Sequence, residues 1–283
     1  MNRSVANCPD WLVERIKASE GSISFFQYMD WALNDPEYGA YAQGRLKIGR
    51  DGDFATSPSL GSDFAEILAI QLIDWLIQID NKNSGKDMLS LVDIGPGEGD
   101  LLKDLANAIE RINPKIFSRL QLILVEPNKG MLERQKEKLS YMKGIDVSWK
   151  TIDDLIKFPV NGIVIAHELL DALPVERLVF KDKALYRQGV TLSERDSNYQ
   201  LEFSTLPLST EIRNSLADIN KFIGIKIPPV DACDNWCTEW HCGLKNWFEI
   251  SSQIIENGTL LVVDYIMDAF RYYNATRSNG TLM

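Results

Sequence analysis

Leu89-Ser-Leu-Val-Asp-Ile-Gly-Pro-Gly-Glu-Gly-Asp-Leu-Leu102 decides how this chain is read. It predicts a buried strand from Leu89 to Ile94, a turn carrying Gly95, Gly97 and Gly99, and the start of a helix. Glycines at such a turn let the backbone bend sharply and let a ligand lie against bare main chain. The dinucleotide fingerprint is G-x-G-x-x-G. Here the third glycine comes one residue early, and Asp100 stands where that fingerprint needs glycine. The Lys-Ser/Thr pair of a triphosphate loop is also missing. The loop therefore suits close approach of a ligand more than phosphate capture. A tight turn that binds nothing is the plain alternative.

Further units follow at the spacing of a doubly wound sheet. Leu120-Gln-Leu-Ile-Leu-Val-Glu-Pro127 is a second apolar run closed by an acid, 27 residues after Gly99. An acid at that place accepts hydrogen bonds from ribose hydroxyls, which assigns Glu126 to the cofactor. The step leaves room for a helix from Leu101 to Ile112. A third strand is expected over Val147 to Ile152, before Asp153-Asp154. Asp153 reads equally as a ligand contact at the strand's carboxyl end or as a helix N-cap. A fourth strand, Gly162 to Ala166, runs into His167-Glu-Leu-Leu-Asp-Ala-Leu-Pro-Val175. Four strand-helix units predict an α/β fold with a parallel sheet and ligands at its carboxyl edge.

The 283 residues can hold one sizeable core and a smaller lobe. Thirty basic against forty acidic residues give a net charge of −10. That disfavours nucleic acid, which needs a basic face, and is compatible with a cationic protein substrate. Phe64 to Ile79 is broken by Glu66, Gln71, Asp74 and Gln78, so it reads as a one-sided core helix and no membrane insertion is expected. Met1 to Glu20 carries no apolar signal core and contains acids, so a cytoplasmic location is expected. Cys233, Cys237, His241 and Cys242 cluster, but Trp236, Trp240 and Trp247 interleave them. Free cysteines buried as small hydrophobes are expected there, with no metal.

Four stretches are expected: residues 1–84, mainly helical; 85–180, the strand-helix core; 181–257, an insertion or cap; and 258–283, opening with the strand Gly258-Thr-Leu-Leu-Val-Val-Asp-Tyr265. The cap stretch holds a helix near Thr210 to Phe222, after hairpin-like residues from Arg177 to Phe203. Ile48-Gly-Arg-Asp-Gly-Asp-Phe-Ala-Thr-Ser-Pro58 is too irregular for helix or strand. Such a loop reads as a functional lid or as a capped surface loop.

Acid, hydrophobe and G-x-G-x-G from Asp93 resemble the first motif of class I S-adenosylmethionine (SAM) methyltransferases. Asp35-Pro-Glu-Tyr-Gly39, the 48–58 loop, Phe64-Ala-Glu66, Val92 to Gly99 and Leu124-Val-Glu-Pro127 together resemble the MidA family. So do Glu168-Leu-Leu-Asp-Ala-Leu-Pro-Val175, Thr238-Glu239 and Leu261-Val-Val-Asp-Tyr265. The likeness runs in order over residues 21–283 and is nearest in wording to cyanobacterial members. Arg277 to Met283 looks like the start of a motif that continues in the family, so a C-terminal truncation is expected.

The resemblance implies a class I, Rossmann-like sheet with S-adenosyl-L-methionine as cofactor. Asp93, Gly95, Gly97, Gly99, Glu126 and Asp153 would hold it, under a lid carrying Gly52, Asp53 and Thr56. The mitochondrial branch, the complex I assembly factor 7 proteins, methylates an arginine of a complex I subunit. The expected partner is therefore a protein, such as a complex I or NDH subunit; a homodimer stays open. His167 stands where the family usually has Asn, which leaves the acceptor type open. An arginine acceptor stays cationic and needs carboxylates beside it. Glu168 and Asp171, three apart, would share a face, and Asp264 could add a third acid. With His167 they are the catalytic candidates. A small-molecule N- or O-methyltransferase and an assembly factor that binds SAM without turnover are the alternatives.

Overall fold

The computed structural model describes residues 8–46, 52–53, 56–82, 88–195 and 198–282. Among these the strands are, in chain order, β1 (Ser22–Ser24), β2 (Leu89–Ile94), β3 (Leu120–Val125), β4 (Asp146–Trp149), β5 (Val160–His167), β6 (Glu176–Lys181), β7 (Ala184–Arg195), β8 (Asn198–Leu206), β9 (Cys237–Trp240) and β10 (Ile255–Val263). They fall into two compact units, residues 32–173 with 244–265, and residues 1–31 with 174–243 and 266–283. The stretches expected from sequence are consecutive, whereas each of these units is built from separated segments. Residues 1–31 belong with the expected insertion, and residues 32–84 with the core.

The first unit holds a sheet of order β10-β5-β2-β3-β4 with every neighbouring pair parallel. Its central strands β2, β3 and β5 are buried on both faces, which is why they read as unbroken apolar runs. Leu91, Leu122, Leu124, Ile163 and Ile165 pack on one face with Leu72, Leu76, Leu102 and Leu105. Val92, Ile123, Val125 and Val164 pack on the other with Leu155 and Ile254. A fully buried leucine such as Leu91 or Leu122 contributes about 1.5–3 kcal/mol. Ser90, Gly162 and Gly258 lie in register across three strands. A Cβ on Gly162 would stand 1.9 Å from the Ser90 carbonyl oxygen. The chain runs β2, β3, β4 in one direction, then crosses back to β5 on the other side of β2. The topological switch point therefore lies between the carboxyl ends of β2 and β5.

Some element bounds differ from the sequence reading. The third strand stops at Trp149, because Thr151 accepts from the Asp154 N–H and caps a helix at Ile152–Lys157. The cap is therefore Thr151 and not Asp153. The helix Asp63–Lys82 buries Ala65, Ala69, Leu72 and Leu76, but Ile67 and Ile70 fall on its far side and are exposed. It is less one-sided than its sequence suggests. No described helix is long and apolar enough to cross a membrane.

The second unit is an antiparallel sheet of order β1-β7-β6-β9, with β8 on β7. Leu12, Val13, Ile16, Ile23 and Val190 form one of its cores. Buried Glu239 accepts from the Thr281 N–H at 2.8 Å, the Thr281 hydroxyl at 3.0 Å and the Tyr272 hydroxyl at 3.2 Å. That carboxylate ties the last described residues to β9. Cys237 is buried on β9, whereas Cys233 and Cys242 are exposed, which corrects the expectation that all three are buried.

Candidate functional site at the switch point

β2 ends at Ile94, and the chain turns through Gly95, Gly97 and Gly99 at φ +69°, +55° and +81°. L side chains are strained in that region, so the turn requires glycine. Gly99 then starts the helix Asp100–Ile112 and offers it no side-chain cap. The turn and the first helical residues form one wall of a cleft with Asp93. His167 and Glu168, at the end of β5, line it as well, and so do Thr56, Pro58 and Ser59. Thr56 and Ser59 brace one another, the Thr56 N–H donating to Ser59 Oγ at 3.0 Å.

Asp93 is 1% exposed, and among the described residues its Oδ1 has no hydrogen-bond partner. Burial, with the charge of Glu126 adding, pushes its carboxyl up to about 7. A buried carboxylate oxygen without a partner, on a residue that lines a cleft, suits a cationic ligand group. Its folded pKa lies above the unfolded one, so its contribution to stability is complete at acid pH and is lost as pH rises through about 7. Asp93→Asn removes that dependence. The thermal midpoint of the variant relative to wild type should therefore climb between pH 5 and pH 8; a constant or shrinking difference contradicts the assignment.

Glu126 follows β3. Its Oε1 accepts the Asn128 N–H at 2.8 Å and its Oε2 accepts Gln135 Nε2 at 3.2 Å. Burial raises its pKa, and these hydrogen bonds and Arg134 oppose the rise. Arg134 also pairs with Glu98 of the glycine turn, Nε to Oε1 at 3.1 Å. Tyr41 is pushed up by burial and by Asp171 and Glu126, so its phenol lies within electrostatic reach of both acids.

The end of β5 is unusual. Glu168 has φ +47°, and its N–H donates to the Val263 carbonyl at 2.8 Å. Strained non-glycine residues of this kind gather at functional sites. Asp264 Oδ2 accepts the N–H groups of Leu170 at 2.8 Å and Asp171 at 3.3 Å. It thereby fixes the turn that carries the other two acids. Burial raises the pKa of Glu168, and Asp171 and Asp264 add to the rise. Burial and then Asp264 raise that of Asp171. Three mutually repelling carboxylates at one sheet edge favour a cation between them. His167 stacks edge-on to Phe64, ring centroids 5.3 Å apart, and burial lowers its pKa.

The cleft thus gathers Asp93, Gly95, Gly97, Thr56, His167 and Glu168 from the sequence reading. Asp153 is exposed on its helix and does not line it. Gly52 and Asp53 are exposed, and the rest of the expected lid, Ile48–Asp51 with Phe54 and Ala55, lies outside the described residues. Sequence reasoning missed Tyr41, Arg134 and Gln135.

Comparison with other proteins agrees with the fold and motifs. A Burkholderia thailandensis structure with bound S-adenosyl-homocysteine (SAH) superposes with TM-score 0.77 at 24% identity, over 96% of this chain and 65% of that one. A native structure from the same organism gives 0.75 at 22%, over 96% and 64%. These likenesses establish the fold. The Bos taurus mitochondrial protein arginine methyltransferase NDUFAF7 is 32% identical over 198 residues, 62% of this chain and 43% of its own length. The Mus musculus protein of that name is 30% identical over 222 residues, 70% of this chain and 48% of its own. The chain thus spans about half the length of the curated relatives it matches. Residues 67–283 match the family Methyltransf_28, described as S-adenosyl-L-methionine-dependent methyltransferase. The chain therefore belongs to this MidA-type family of SAM-dependent methyltransferases.

Proposed function

We propose that this chain methylates arginine on a protein, using SAM bound at the glycine turn. The observation that carries the reading is a single cleft lined by buried Asp93, by the left-handed Gly95 and Gly97, and by Glu168. The amino group of SAM suits the unpaired Asp93 oxygen, and its ribose suits Glu126. Bound SAM would supply an electrophilic methyl carbon. The chain's own residues then align and neutralise, since displacement at a sulfonium needs position more than a strong base. Glu168 and Asp171 would hold the guanidinium, which keeps its charge because its pKa exceeds about 12. The proton released after transfer passes to Glu168, whose raised pKa suits it to accept one. The names of the mammalian relatives support arginine and a protein substrate. A complex I or NDH subunit is the proposed target class.

One observation favours a second reading. His167 lines the cleft, and its burial favours the neutral imidazole, a base suited to a neutral acceptor. The two are separated by supplying SAM labelled on its methyl carbon to a lysate with the purified protein. Label should enter the protein fraction and appear as methylarginine after acid hydrolysis. Label confined to small molecules, or to residues other than arginine, overturns the proposal.

A further inference from the structure

We infer that Gln135 is a positioning residue of the cofactor site, its one amide holding the glycine turn and the Glu126 carboxylate in register. The inference deepens the reading of that cleft as the SAM site and rests on it. The helix Lys129–Leu139 has a polar sequence, KGMLERQKEKL, and buries only Met131, Gln135 and Leu139, one side chain per turn. Two of the three are apolar, and the third is a glutamine with 0% exposure. An amide buried in that stripe is costly unless all its groups are used.

They are used. Trp149 Nε1 donates to Gln135 Oε1 at 3.0 Å. An indole N–H can only donate, so it identifies the oxygen end of the amide and fixes its orientation. The amide nitrogen then has two hydrogens to give. It donates to the Gly97 carbonyl at 2.7 Å and to Glu126 Oε2 at 3.2 Å. The methylene stem lies under the same turn, 3.8 Å from where a Cβ on Gly99 would stand. Glycines have no side chains with which to fix their own loop. Gln135 supplies that hold from outside, and it draws on the carboxyl ends of β2, β3 and β4 together. With its other oxygen on Asn128, Glu126 is held at both oxygens and cannot swing away from the cleft.

The test uses SAH as probe, by calorimetry from pH 5 to pH 8, on wild type and four variants. Gln135→Met keeps length and packing and removes the amide. Affinity should fall about tenfold or more, and the acid limb of binding should move to higher pH, because Glu126 has lost a donor that favours its ionised form. Gln135→Glu can still accept from Trp149 but places a second carboxylate beside Glu126, and should fall further. Gln135→Met with Trp149→Phe removes both ends of the indole bond, so the thermal midpoint should recover towards wild type. Affinity should stay low in that double variant, which a purely structural role would not produce. Glu126→Ala serves as control. Wild-type affinity and an unmoved pH profile in Gln135→Met, with Glu126→Ala weakened, overturn the role of Gln135. So does affinity that returns with the midpoint in the double variant. A wild-type protein that does not bind SAH, or a Glu126→Ala variant that binds normally, overturns the cofactor reading itself.

Discussion

Gly97→Val is expected to weaken binding of SAM and SAH by about 100-fold or more, equivalent to about 2.7 kcal/mol. Two costs act in the same direction. At φ +55° a left-handed backbone disfavours any L side chain by about 1–2 kcal/mol, and a β-branched residue is a worse case. The added side chain would also occupy the cleft that Gly97 lines. A loop that relaxes to accommodate valine must move its carbonyl, and with it the hydrogen bond to Gln135. Gly97→Ala separates the two costs. It carries the backbone strain with one methyl group and should lose less affinity than valine. The thermal midpoint of each variant checks that the sheet persists, since the change lies in a surface turn outside the packed faces. Calorimetric affinities for both variants equal to wild type would remove the glycine turn from the cofactor site.

The features legible in sequence share a physical origin. β2, β3 and β5 are buried on both faces, so they are written as short apolar runs, and each is closed by a polar residue or glycine at the ligand edge. The glycines of the turn were legible because backbone conformation there excludes other residues. The antiparallel unit was not legible as a unit. β1 is three residues long and pairs with β7 at Ser22 and Thr191, a contact far apart in sequence with no local sign. The role of Asp264 was hidden for the same reason, since the N–H groups it accepts lie 94 and 93 residues away. Gln135 was invisible because a glutamine in a charged helix looks solvated. The remaining signal was its i, i+4, i+8 spacing with Met131 and Leu139. Asp153 lost the cap to Thr151 because Thr151 with Asp154 forms a reciprocal pair, and two hydrogen bonds outweigh one.

Glu168→Gln should leave SAH affinity within about twofold, a difference of roughly 0.4 kcal/mol. It should lower methyl transfer to arginine by about 100-fold or more, the scale of losing one preorganised electrostatic contact. Glutamine keeps the shape and removes the charge that would hold a guanidinium. The pH profile adds a second signature. Burial, Asp171 and Asp264 raise the pKa of Glu168, so its active carboxylate form is lost as pH falls, and lost sooner than for an ordinary glutamate. The wild-type profile should show that acid limb, and the Gln variant should have it flattened. The backbone supplies a third. At φ +47° glutamate is held against its preference, and glycine is not. Glu168→Gly should therefore keep or raise the thermal midpoint while losing activity, as expected of a residue retained for its charge and not for the fold. His167→Asn should retain most activity, because the ring is packed against Phe64. Normal turnover in Glu168→Gln together with a dead His167→Asn would reverse the assignment. A neutral acceptor, deprotonated by the histidine that burial keeps uncharged, would then account for the site.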